Sequence, residues 1–434
     1  MSVFAPLTRP LALTPNWAKN ELWRKARAVP SLDLRFADNK SLVDATTGQS
    51  LVTFTRASSG TYVGSDGLIK TASNDIPRFD HDPVTGESLG LLIEEQRQNL
   101  LRYSEEADNP AWNILSSSVT VDPDVVIAPD GTQTADKVKE AATTGAHSIE
   151  FTAFAFQAGV TYACSFFVKA AERSRIRIVF PTVFTNRIVF VDFDPNSYQV
   201  ISDDGTTSSI TPVGNDWFRV AVVSTATTTS PGARIGFTLV DTGTNVIYTG
   251  DGTSGIYVWG AQLEEGSFPT SYIPTTASAV TRAADVASIS GSNFSSWIDL
   301  NNGTLFNDSE VIAPNVQTQA VWSLTGGTYV TSLRQPQSSG DKFRAQIGNT
   351  FTPSPGTGDT LSTGTRKACV AYSGTAGRLQ VGSSSNDVTA GGVLDATDFY
   401  IGSLVGGTSL NGTIRRLTFW PQRLANNILQ TLTQ

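Results

Sequence analysis

The sequence predicts an all-β protein: tandem antiparallel β-sandwiches behind a short N-terminal helical or extended anchor. Three observations carry that expectation. Of 434 residues, 97 are Ser or Thr and 37 are Gly, against only 9 Lys and a single Met. This balance is poor in helix formers and rich in strand and turn residues. Strand-like runs recur evenly between residues 104 and 275, at SIEFTAF, VTYACSFFVKA, SRIRIVF, RIVFVDF, WFRVAVV, ARIGFTLV and GIYVWGAQL. Within residues 173–180, Arg175 and Arg177 alternate with Ile176, Ile178 and Phe180. A period of two is that of a strand with one face buried.

Taken in chain order, residues 1–30 are punctuated by Pro6, Pro10, Pro15 and Pro30 and hold one helical stretch, NWAKNELWRKAR, with Asn16 as its N-cap. Trp17, Leu22 and Trp23 share a side of that helix, and Lys19, Arg24, Lys25 and Arg27 make it basic. The segment is either a helix packed on its own domain or a docking peg. In the second case Trp17 and Trp23 are the anchors and Arg24 and Lys25 form a rim against an acidic partner. Residues 31–103 alternate short strand candidates with turns, and Ser65-Asp66-Gly67 marks a hairpin. This β region either stands alone or completes the C-terminal sandwich. Residues 104–275 read as a sandwich or jelly roll, with turns at Asp194-Pro195-Asn196, Asp203-Asp204-Gly205 and Asp251-Gly252. Residues 276–434 carry weaker strands and a short closing helix over 423–432. The quartet Phe54-Thr55-Arg56-Ala57 is echoed at Val280-Thr281-Arg282-Ala283, too briefly to count as a repeat.

The net charge of -8 argues against a nucleic-acid partner, because affinity for phosphates comes from clustered Lys and Arg in excess. Apolar runs such as Val220-Ala221-Val222-Val223 are far shorter than the ~18 residues of a spanning helix, so no membrane insertion is expected. The Pro-rich start lacks the apolar centre of a secretory signal. Cys164 and Cys369 each lie in apolar strand-like sequence and are expected as buried free thiols. With only His81 and His147 available, no three-histidine metal site can form, and any Ser/His/Asp arrangement must use one of the two.

Three stretches resemble virion proteins of tailed bacteriophages, of the tail-fibre, minor-tail and head-fibre type. TFTRASSGTYVGSDGLIKTASNDIPRFDHDPVTGESLGLLIEEQRQNLLRYSEE, residues 53–106, is similar to a segment shared by such proteins. GIYVWGAQLEEGSFPTSYIPTT followed by AVTRAADVASISG is similar to the junction between a carbohydrate-binding-module-like jelly roll and a last domain. LNGTIRRLTFWPQRLANNILQTLT resembles the closing strand and helix of a laminin-G or concanavalin-A-like sandwich. The resemblance implies a virion structural protein, not an enzyme, assembled in the host cytoplasm and exposed outside. It would be a fibre or spike subunit contacting other virion proteins through its N-terminus, self-associating as a homo-oligomer such as a trimer, and adhering to host-surface glycan. The alternatives are an architectural head or collar protein without ligand, and a polysaccharide depolymerase.

For glycan contact, Trp112, after Asn109-Pro110, and Tyr248, ahead of a Gly-rich loop, are the aromatics that a loop is expected to expose. Trp217, Trp259, Trp322 and Trp420 sit within strand-like runs and are expected in cores. Sandwiches of the kind resembled carry an oxygen-ligated ion in loops, which makes Ca2+ a candidate at residues 192–204 and 245–255, against ordinary turn-forming Asp. Asp80-His81-Asp82 is a titratable cluster with Arg78 as the expected salt partner of Asp80 or Asp82. Glu94-Glu95, Asp203-Asp204 and Glu264-Glu265 are adjacent acids that an extended strand would point to opposite faces, and Glu264-Glu265 is expected as solvated charge at a strand end.

Overall fold

The structure is a computed structural model that describes residues 20–114, 118–151, 153–184, 188–203, 207–311, 319–326, 330–335, 342–347, 350–351, 366–374, 376–389, 395–404 and 409–434. It is all-β, and its main sheets pack as two antiparallel sandwiches.

One stretch of chain builds the first sandwich. One sheet runs in the order Thr207–Pro212, Trp217–Thr225, Thr161–Ala170, Gly255–Glu265, Ala135–Glu140 and Val119–Val126. The facing sheet runs Gln199–Asp203, Ile188–Asp192, Arg175–Val179, Gly236–Leu239, Ser148–Glu150 and Asn113–Ile114. Ile176, Ile178 and Phe180 point into the core, whereas Arg175 and Arg177 remain partly exposed, as the alternation requires. Phe166 and Phe237 stack across the two sheets at 5.5 Å. Cys164 lies in this core, where burial pushes its thiol up to about 12.

The second sandwich is discontinuous in sequence. Its hub, Gly412–Trp420, pairs with Asn302–Val311 on one side and with both Leu32–Leu34 and Ser88–Ile93 on the other. Phe79–His81 extends that sheet at one edge, and Arg366–Ser373, Ala376–Val381 and Ser384–Thr389 extend it at the other. The facing sheet begins with Thr53–Thr55 and continues through Val286–Ser290, Ala396–Ile401 and Gln319–Gly326. Residues 31–103 therefore supply four strands of three to six residues, each too short to persist alone. They are held because Leu34, Phe54 and Ile93 enter the same core as Trp297, Trp322, Phe399 and Phe419. The first sandwich is thus an insertion between two portions of the second.

The N-terminal helix is shorter than expected. It spans Glu21–Ala26, and its cap is Asn20, whose side chain accepts from the Leu22 and Trp23 N–H groups at 3.0 and 3.3 Å. Asn16 and Trp17 lie outside the described residues. Trp23 is not an exposed anchor. It is buried, and its indole N–H donates at 2.9 Å to Asp33, a fully buried carboxylate that also accepts from Arg35 and Arg416. Ala26 packs with Trp420, Leu429 and Leu432 beside the closing helix Asn426–Thr433. An indole turned inward to pair a buried carboxylate is unavailable to a partner. Arg24 is exposed, and Lys25 pairs with Glu21 at 3.1 Å one turn away.

Candidate functional site

The loops do not expose the aromatics predicted to meet a glycan. Trp112 is buried, edge-on to Phe151 at 4.8 Å, with its N–H donated to the Tyr103 carbonyl at 3.0 Å. Tyr248 is buried, and its hydroxyl donates at 2.8 Å to Glu140, which is clamped by both Nε and Nη2 of Arg173. In each case the ring fills core volume and its polar tip finds an internal partner. Trp217, Trp259, Trp322 and Trp420 are buried as well.

The acidic and histidine candidates are also occupied by the fold. Arg78 pairs with neither Asp80 nor Asp82 but with Glu94 at 2.8 Å and with Asp285. Asp82 instead accepts from the Val84 and Thr85 N–H groups, forming a turn. His81 and His147 each place Nδ1 against a backbone carbonyl, of Val63 and Ser118 respectively. Glu264 is not solvated: it is fully buried and receives the Thr270 N–H, the Thr270 hydroxyl and the Gln262 amide. Glu265 is exposed. In the loops considered for Ca2+, Asp192 is taken by Arg175, and Asp251 accepts from the backbone and hydroxyls of Thr253 and Ser254. Asp204 lies outside the described residues. Among the described residues no group of three or more His, Cys, Asp or Glu is placed to hold a metal ion.

What the fold does assemble lies where the two sandwiches meet. Arg56, Arg78 and Arg282, all nearly inaccessible, converge on Glu94 and Asp285. Asp285 takes Arg56 at 3.0 Å and the Glu94 N–H at 2.9 Å. Arg282 reaches Glu94 at 3.3 Å, and Ser271, from the connector leaving the first sandwich, donates to Glu94 through both N–H and hydroxyl at 2.7 Å. Burial pushes the Glu94 carboxyl up, but Arg282, Arg78 and the Ser271 hydrogen bonds outweigh it and hold the group at about 2. Gly60 admits the cluster, since a Cβ there would lie 3.0 Å from Arg56 Nε and 3.4 Å from Arg282 Cδ. Arg56 and Arg282 are the arginines of the two Thr-Arg-Ala echoes, so that brief repetition is the one sequence signal of this cluster.

Beside the cluster, Arg97–Asn99 pairs antiparallel with Val280–Arg282, and the buried Asn99 side chain binds the carbonyls of Ala261 and Ile273 and the N–H groups of Leu101 and Leu263. The outer side of this seam is an open groove of about 760 Å³. Arg97 crosses its floor, pairing with Glu95, donating to the Glu265 carbonyl and covering the Phe268 ring at 4.8 Å. It passes over Gly266, where a Cβ would collide with its guanidinium. Gln96, Gln98, Glu265 and Thr281 line the groove and are exposed. Among the described residues none of these four side chains takes a hydrogen-bond partner within the chain.

No protein-family model and no curated protein matches the sequence. Among solved structures the chain is similar to a Trypanosoma rangeli sialidase in complex with the inhibitor DANA, at 12% identity over 69% of this chain and 60% of that one, with a TM-score of 0.27. It thus spans about three fifths of that sialidase. It is similar to domains LG4-5 of the mouse laminin alpha1 chain, at 9% identity over 64% of this chain and 86% of that one, TM-score 0.20. It is also similar to a GH43 protein, a BlXynB mutant from Bacillus licheniformis, at 9% identity over 70% of this chain and 74% of that one, TM-score 0.20. These scores are too low to carry an argument about function. The class rests on the strands themselves: an all-β protein of two antiparallel sandwiches, with a buried ionic cluster beside the second that the connector from the first reaches through Ser271.

Proposed function

We propose that the chain is a non-enzymatic structural subunit of a tailed-phage particle, a fibre- or spike-like module that presents the groove between its sandwiches to host-surface glycan. On this reading the first sandwich is the jelly roll and the second the laminin-G or concanavalin-A-like domain of the family that the sequence resembles. The observation that carries the reading is the seam. Asn99, bonded to Ala261 and Leu263, and Ser271, bonded to Glu94 of the five-charge cluster, tie the first sandwich and its connector to the second, and amide and carboxylate side chains without internal partners line the groove outside it. Fork-shaped groups of this kind suit sugar hydroxyls. With Phe268 covered by Arg97, the groove offers no open aromatic face, so each copy binds weakly and useful adhesion comes from several copies.

Purified protein is expected to bind host cells or their surface glycan without releasing reducing ends, and clustered copies to bind far more tightly than single ones. Replacing both Gln96 and Gln98 by Ala should reduce binding while leaving the melting temperature unchanged. Release of reducing ends over time would replace this reading with the depolymerase. Absence of host binding by the oligomer would leave the architectural one. Imaging of the intact particle checks the placement of the subunit at its surface.

A further inference from the structure

A second cavity, of about 160 Å³, lies between the hairpin Gly60–Val63/Ile69–Ala72 and the outer face of the first sandwich. Its walls are tied together: the Ile69 N–H donates to the Pro129 carbonyl at 2.9 Å, and the Thr61 hydroxyl to the Tyr272 carbonyl. Tyr62, Pro83, Phe167 and Pro269 make most of the lining apolar, and Arg219, Asp80 and Glu94 are its charged members.

Arg219 differs from the arginines of the seam in lacking a carboxylate partner; a buried Nε without an acceptor it shares with Arg78 and Arg282. Its Nη2 donates to the Ser165 hydroxyl at 2.9 Å and its guanidinium lies over Phe167 at 5.5 Å, yet its Nε is buried without an acceptor. Among the described residues no carboxylate comes within ion-pair distance of it. Leaving a guanidinium N–H desolvated and unmatched is costly, so an acceptor delivered from outside would be bound favourably. The neighbouring acids do not serve: Glu94 is engaged by Arg78, Arg282 and Ser271, and Glu264 by Thr270 and Gln262. Asp80 accepts the Val63 N–H at 2.7 Å, and burial pushes its carboxyl up to about 7 against that bond and the charge of Arg78. Below neutrality it therefore meets a ligand as a hydrogen-bond donor, and near neutrality both protonation states are populated.

We propose that this cavity binds a small monocarboxylate of one ring or a short chain, its carboxylate on Arg219 and its body against Tyr62 and Pro83. The size follows from the volume, which is below that of pockets built for larger ligands, on the order of 300 Å³ and upward. The chemistry follows from one guanidinium without an ion-pair partner in a mostly apolar cup whose two acids, Asp80 and Glu94, are engaged elsewhere, so that a bidentate carboxylate is the matching partner. The site does not depend on the glycan reading of the groove.

The test is titration calorimetry of the whole chain with benzoate, glucuronate and the neutral benzyl alcohol, with a structure of whichever complex forms. Binding of benzoate or of glucuronate, at least about tenfold tighter than benzyl alcohol, is expected, and Arg219→Gln should lower it about tenfold or more. Gln96→Ala should leave it unchanged, which separates this site from the groove. Glucuronate binding would indicate an acid carried on a glycan, and benzoate binding alone a free small carboxylate. Either result supports the site. Equal binding of benzyl alcohol, which needs no variant to detect, overturns the proposal. So does failure of both acids to bind, or retention of benzoate affinity in Arg219→Gln.

Discussion

The two sandwiches reach similar architectures by different chain economies. The first is contiguous, its strands falling within residues 113–265, and its core draws chiefly on residues within that span. The second needs Leu32–Leu34, Thr53–Thr55, Phe79–His81 and Ser88–Ile93 from the far side of the insertion. Because Ser88–Ile93 and Leu32–Leu34 lie against the hub strand, their removal uncovers Leu417 and Phe419, not merely an edge. A sandwich closed by distant chain pays its loop-closure entropy before its contacts form. The comparison teaches that the middle of this sequence carries all the strands of its own sandwich, whereas the C-terminal part does not.

The largest expected effect breaks that comparison directly. A fragment of residues 104–275 is expected to melt cooperatively, whereas 282–434 alone should be unfolded or aggregated. Joining residues 20–103 to 282–434 should restore a cooperative transition by circular dichroism. Independent folding of 282–434 would show that the N-terminal strands are ornamental.

Next is the seam. Asp285→Ala leaves Arg56 and Arg78 buried without their shared carboxylate and should cost ~3–5 kcal/mol in urea unfolding. The loss should extend to the second sandwich as well as the connector, since the Glu94 N–H also loses its acceptor.

The N-terminal helix gives a graded test. Trp23→Ala removes a buried indole and one donor to Asp33 and should cost about 3 kcal/mol. Changing exposed Arg24 to Ala should stay within about 0.5 kcal/mol. If residues before 20 contact the particle, truncation to residue 20 should abolish incorporation and keep the melting temperature, whereas truncation past residue 27 should lower it.

The smallest effect is in pH dependence. Glu94 is lowered from 4.5 to about 2, so its contribution is fully present above about 4.5 and is lost as pH falls through 2. Asp80 is raised from 3.8 to about 7, so the folded state binds the extra proton and stability falls as pH rises from about 4 to 7. Asp80→Asn should flatten the slope of stability in that upper window and leave the acid limb in place, as read from urea midpoints at successive pH values.

Much of the secondary structure was legible because it is local. The alternation at Arg175 to Phe180, the Ser65-Asp66-Gly67 hairpin and the closing helix follow from periodicity and turn chemistry, with the observed helix at Asn426–Thr433. The candidate site was legible far less. Trp112 and Tyr248 look exposed because a Pro and a Gly-rich loop flank them, but local chemistry cannot report whether Tyr103 or Glu140 arrives to take the polar tip. Arg78 was paired with its sequence neighbours, whereas its partners are 16 and 207 residues away.

The sequence by itself determined the class of fold, the absence of any long apolar run, and the composition that makes strands and turns. These depend on side-chain period and backbone preference, which act over a few residues. Only the tertiary structure decided that residues 31–103 supply strands to the last sandwich, that Arg56 and Arg282 share one carboxylate cluster, and that Arg219 lines a cavity with no carboxylate at ion-pair distance among the described residues. Those outcomes turn on which distant strands exclude water together, and burial, once settled, sets which charges must find a partner.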